Sequence, residues 1–156
     1  MNLHGELINA FQGQPWHGES SSEIIEASDP EKVFVHWIPN AHCIAELVLH
    51  LTVWTEEAVD RLNGNEAKTP LRGDWPVVSQ ADLPGWQNIV TDFRATHQKL
   101  MDRIQGFGFE EWETKTIDHR DKTQDQEPEI SYAELVNGII QHLAYHSAQV
   151  SLLQKF

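Results

Sequence analysis

The sequence predicts an all-α protein: a four-helix bundle with a broken first helix and a long crossover between its second and third helices. Three observations lead there. Over three long segments apolar residues recur every three or four positions, the spacing that gathers them on one face of a helix. No segment carries the alternation of apolar and polar residues that marks a half-buried strand. The 156 residues suit one domain, here residues 1–156, with room for a real core.

The elements follow in order. Leu3, Leu7, Ala10 and Phe11 sit at helical spacing, then Gly13, Pro15 and Gly18 interrupt. Ser20, Ser21 and Ser22 offer N-caps for a short turn carrying Ile24 and Ile25, so the two pieces read as one broken helix. Val33, Val35 and Trp37 lie in an irregular stretch bracketed by Asp29-Pro30 and Pro39-Asn40. Asn40 reads as the N-cap of a second helix ending near Leu62, with Ile44, Leu47, Leu51, Trp54, Ala58 and Leu62 as its stripe and Gly64 as its stop. From Asn63 to Asp82 no period holds, and a linker of that length crosses the molecule or carries function.

A third helix starts after Asp82 with Pro84 in its first turn and runs to Gly106. Its buried side is Trp86, Ile89, Val90, Phe93, Leu100, Met101 and Ile104. Gly106 to Pro128 is polar and charged, anchored by Trp112. Ser131 and Glu134 then form a capping box for the last helix, with Leu135, Ile139, Leu143, Val150 and Leu153 as its stripe. Each long helix has about 22 to 26 residues, roughly 33 to 39 Å.

Charge and composition exclude several functions. Eleven basic against 24 acidic residues give a formal charge of −13. A surface of that sign repels the polyanionic phosphate backbone, so nucleic acid is not an expected partner. Anionic membranes are disfavoured for the same reason, and no stretch approaches the roughly 18 to 20 apolar residues of a bilayer span. Met1 to Glu6 shows no basic region leading into an apolar run, so the expected location is the cytoplasm. Cys43 is the single cysteine, which rules out an internal disulfide and a thiolate-rich zinc site.

Nine histidines are a rich supply. His142 and His146 are one helical turn apart, so both imidazoles reach one ion. The H-x-x-x-H spacing is weak evidence alone, but both fall in phase with Leu135, Ile139, Val150 and Leu153 and so point inward. His50 lies in the second helix's stripe, between Leu47 and Trp54. A buried unpaired polar group costs about 1 to 3 kcal/mol, and a single divalent ion would satisfy all three rings. Three imidazoles with one open position also leave room for water or substrate. A core histidine bonded to a neighbour is the commoner arrangement, and spacing with phase leaves both readings open.

Asn40-Ala41-His42-Cys43-Ile44-Ala45-Glu46-Leu47-Val48-Leu49-His50 resembles the second-helix signature of the DinB/YfiT-like metalloenzymes. Gly138-Ile139-Ile140-Gln141-His142-Leu143-Ala144-Tyr145-His146-Ser147-Ala148-Gln149-Val150 resembles the last-helix signature of that superfamily. Gly13-Gln14-Pro15-Trp16-His17-Gly18 is similar to the first-helix break of one branch. The resemblance implies a four-helix bundle with a long crossover, often a homodimer. It also implies a metal held by one histidine of the second helix and two of the last, here His50, His142 and His146. Cys43 and Ala45 stand where that branch has serine and tryptophan, and Ser147-Ala148 where Ala-Gly is usual; none of these removes a ligand.

Other residues carry weaker expectations. Glu46, one turn before His50, is placed to accept a hydrogen bond from a ligand's second nitrogen, or to face solvent or cap the helix. His17 lies in the Gly/Pro-rich break and is assigned a proton-transfer role over the pocket, against an ordinary loop histidine. Gln149 reads as a surface residue with the pocket mouth as the alternative, and His97 as a core histidine. His42 is read as packing near the start of the second helix, Cys43 as a small buried hydrophobe, and the six tryptophans as packing residues.

Three neutral ligands leave a metal its full charge, which acidifies a bound water or stabilises a thiolate. Imidazole suits nickel, zinc and ferrous iron alike, so spacing does not choose among them. The expected activity is therefore a metal-dependent hydrolase or, as the resemblance implies, a low-molecular-weight thiol S-transferase acting on a small molecule. The alternative is a non-enzymatic, stress-associated bundle that binds a metal or ligand.

Overall fold

The computed structural model describes residues 2–119 and 129–156; the end of the polar stretch after Gly106, residues 120–128, lies outside the described residues. Among these residues there are six helices and no named strand: α1 Leu3–Gln12, α2 Ser21–Glu26, α3 Ile44–Leu62, α4 Leu83–Ile104, α5 Phe109–Glu113 and α6 Tyr132–Leu153. The all-helical bundle is the predicted class. No helix among the described residues is long and apolar enough to cross a membrane.

Local chemistry accounts for most boundaries. The Ser20 hydroxyl accepts from the Glu23 N–H while the Glu23 carboxylate accepts from the Ser20 N–H, the reciprocal cap that starts α2. Ser131 and Glu134 do the same for α6 at 3.1 and 2.6 Å. Asp82 caps α4 through the Gly85 N–H at 2.9 Å. A Cβ on Gly85 would run into the Gln80 carbonyl, so this turn needs glycine. Gly64, at φ +85°, follows α3, where a left-handed residue ends a helix without strain.

Two sequence expectations are corrected. Asn40 does not cap α3, which begins at Ile44 with Cys43 in the cap position. Asn40 instead takes φ 63°, a left-handed conformation asparagine tolerates. The Ala45 N–H then bonds the Val33 carbonyl at 3.0 Å, so residues 33–41 fold back over the head of α3. The short α5 was not foreseen in the polar stretch, although its Trp112 does pack against the core.

The core draws on every helix except α5, from Leu7 and Phe11 through Val48 and Phe93 to Leu143 and Val150. Helix α3 packs most extensively on α4, then on α6. Contacts with α4 rise together in number: Thr55 meets His97, and Arg103 meets Leu62 and Asn63. Contacts with α6 run the opposite way, His50 facing His142 while Ala58 and Arg61 share a groove with Leu135 and Gly138. Residues 63–82 lie back along α3. The Lys68 N–H bonds Glu57, Arg72 pairs with Glu56, Asp74 meets His50, and Trp75 stacks on His42.

His97 is fully buried between α3 and α4. Its Nδ1–H donates to the Phe93 carbonyl at 2.8 Å, its Nε2 lies 3.1 Å from the Thr55 hydroxyl, and its ring stacks on Phe11. Both nitrogens are thus satisfied in the neutral ring, as the core-histidine reading requires. Burial pushes its pKa from 6.5 down to about 4, since the charged form has no water to solvate it.

Two stability predictions follow from these features. Ser131→Ala removes the α6 cap and should cost about 1 kcal/mol in chemical denaturation. For His97 the unfolded chain binds a proton near pH 6.5 and the folded chain only near 4. Stability therefore falls as pH drops across that window, by at most about 1.4 kcal/mol per pH unit from this residue. Denaturation at pH 7, 6 and 5 should show a shallower decline in His97→Leu than in the parent; parallel declines would contradict the assignment.

Candidate metal centre

The site lies on the α3–α6 seam. His50 projects from the buried stripe of α3, and His142 and His146 project from successive turns of α6. His50 and His146 are buried, and His142 is half-buried. The structure brings the three together. One ligand nitrogen from each lies within 4.8 Å of the others, and the ring centroids are 4.6 to 4.9 Å apart. Antiparallel packing achieves this, because one ring on α3 faces two on α6 at the same height.

The outer nitrogens decide what the inner ones can do. His50 Nδ1–H donates to the Asp74 carbonyl at 2.8 Å, and an Asp74 carboxylate oxygen lies 3.3 Å away. His146 Nδ1–H donates to the Gln149 side-chain oxygen at 2.6 Å. With Nδ1 protonated, a neutral ring carries its lone pair on Nε2. His50 Nε2 faces His142 Nε2 at 3.0 Å. Two nitrogens bound to one ion at about 2.1 Å and about 90 to 110° apart would be about 3.0 to 3.4 Å from each other. The donor set fits a divalent ion.

Electrostatics favour the same state. Burial, reinforced by His146 and His50, pushes His142 from 6.5 down to about 4. His146 is also lowered, first by burial and then by His50 and His42 against the opposing bond to Gln149. Both rings stay neutral at pH 7, as ligation requires.

Sequence reasoning missed two residues of the surround. Asp74 and Trp75 belong to the linker 63–82, and Asp74 holds His50 in place while also accepting from Trp54 Nε1 at 2.7 Å. Trp75, read as packing, stacks on His50 with ring centroids 3.9 Å apart. Only the linker's unusual length pointed to them. Gln149 takes the pocket role that stood as its alternative.

Two assigned residues sit elsewhere. No described hydrogen bond joins Glu46 to His50. Its Oε2 accepts from the Cys43 N–H at 3.0 Å, His36 Nε2 at 3.0 Å and His42 Nδ1 at 3.2 Å. The Cys43 cap position puts Glu46 in the first turn of α3, turned back to the helix head, and Asp74 takes the place beside His50. His17 is exposed in the turn between α1 and α2, and no described contact joins it to the three histidines.

A cavity of about 500 Å³ opens beside the cluster, lined by His146, Gln149, Trp75, Tyr145, Leu47 and Leu152 among others, none of them Lys or Arg. Its size suits a small molecule. Compared with curated proteins, the chain finds no match. The family model described as the DinB superfamily matches residues 16–150, a span that contains His50, His142 and His146, and the chain belongs to that superfamily.

Proposed function

We propose that the protein is a metal-dependent enzyme in which His50, His142 and His146 hold one divalent ion, of nickel, zinc or iron type. It acts on a small molecule as a hydrolase or as a low-molecular-weight thiol S-transferase. The observation that carries this reading is the pairing of convergence with orientation. Three rings meet at one point, and Asp74 and Gln149 turn two of them so that Nε2 faces inward.

A bound ion of this kind supplies Lewis acidity to a water or a thiol. The chain's own residues supply the rest. Asp74 and Gln149 keep protons on the outer nitrogens and fix the ring planes. Trp75 covers His50 and sheds water from that side. The cavity wall of Leu47, Tyr145 and Leu152 takes the apolar part of the substrate. With no Lys, Arg, Asp or Glu in that wall, the part held there is uncharged, since an ion of either sign would lose its hydration without a partner.

Metal analysis of protein purified without a polyhistidine tag tests the ligand set. His142→Ala should lose stoichiometric metal while keeping the parent's helical circular dichroism; full occupancy in that variant contradicts the assignment. Gln149→Leu should weaken metal binding by about 10- to 100-fold, the usual effect of removing a ligand's outer partner. X-ray absorption on the loaded protein distinguishes catalysis from structure. An exchangeable oxygen donor beside three imidazoles supports an enzyme, whereas a fourth protein donor closing the shell points to a structural ion. Turnover is then sought in panels of hydrolase and thiol-transfer substrates.

A further inference from the structure

A second group of metal-ligating side chains sits at the head of α3, apart from the three histidines. Ligand atoms of His36, Cys43 and Glu46 all lie within 4.8 Å of one another, and His42 Nδ1 lies 3.2 Å from the same Glu46 oxygen that His36 approaches. We propose that His36, Cys43 and Glu46, with His42 beside them, form a second divalent-metal site of the zinc class, filled by a borderline-soft ion such as zinc or cobalt.

The fold builds this cluster by a specific route. The left-handed turn at Asn40 and the bond from the Ala45 N–H to the Val33 carbonyl lay residues 33–41 over the first turn of α3. That places His36, ten residues before Glu46, against its carboxylate. Cysteine is not among the residues favoured at a helix N-cap, because sulfur is a weak acceptor. Here Cys43 is 2% exposed, and its thiol shares its surroundings with an imidazole and a carboxylate.

Charge is the main objection, and the donor set answers it. A cation at the head of a helix meets the positive end of the helix dipole. A Cys43 thiolate and the Glu46 carboxylate together bring two negative charges, which balance the ion's own and leave only the dipole's roughly half charge. Glu46 is ionised at neutral pH: burial raises its pKa, but the bonds from Cys43 N–H, His36 and His42 outweigh it and leave it lowered. Burial raises the Cys43 pKa, so the ion itself must displace the proton: it leaves to solvent, one sulfur–metal bond forms, one S–H bond breaks, and nothing is oxidised. Thiolate with imidazole favours zinc-like ions over magnesium or calcium.

Because Cys43 is the single cysteine, any signal from a protein thiolate bound to metal reports this cluster alone. The test is an anaerobic titration of the metal-free protein, without a polyhistidine tag, with cobalt(II). Two equivalents should bind, and a near-ultraviolet thiolate-to-cobalt charge-transfer band should grow with one of them. Cys43→Ser, which puts a good N-cap in place and should leave the fold intact, should lose the band and one equivalent. His36→Gln should weaken the band-forming equivalent. His142→Ala should keep the band and lose the other equivalent. Absence of the band in the parent overturns the second site and leaves the three-histidine reading standing. A band that disappears in His142→Ala overturns its independence.

Discussion

The structure depends on gathering three imidazoles, two of them buried and one half-buried, at one point of a helical seam. Each ring has two nitrogens, and each nitrogen taken from water needs a partner. For His50 and His146 the outer nitrogen is satisfied by Asp74 and Gln149. The inner nitrogens then face each other without a proton to share among all of them. Such an arrangement is costly in a plain hydrocarbon core, and it is the arrangement a cation relieves. The lowering of His142 to about 4 expresses the same fact: the site resists a proton first because it is shielded from water, and then because its neighbours are rings of the same sign once charged.

That constraint gives the linker 63–82 its role. It is anchored at its start by a buried pair, Glu57 with Arg61, where Glu57 also accepts from the Lys68 N–H. Arg72 then bridges Glu56 and Asp92, tying the linker to both α3 and α4. These anchors deliver Asp74 and Trp75 to His50. One irregular segment thus supplies the hydrogen-bond partner of His50 and one wall of the cavity. Loops held on a rigid scaffold commonly carry such duties.

Residues at the head of α3 show how one side chain serves only one of two neighbourhoods. Glu46 had two plausible uses, beside His50 or over the helix head. Turned back to Cys43, it gathers His36 and His42 instead. Trp75 stacks on both His42 and His50, so the two groups of donors share a wall although they share no ligand.

Periodicity and caps were legible in the sequence because they are local. Ser131 with Glu134, Asp82 before Pro84, and Gly64 after Leu62 each act within one turn of helix, and the structure keeps all three. Phase along α3 and α6 was likewise enough to aim His50, His142 and His146 inward. Only tertiary structure decided what closes around them. Asp74 lies 24 residues from His50 in a segment with no repeat, and His36 reaches Glu46 through a turn whose left-handed asparagine looked like an N-cap. Helical order is set by contacts between near neighbours in the chain. His146 finds its outer partner three residues on, in Gln149, but that of His50 is set by whichever distant backbone the packing brings within about 3 Å.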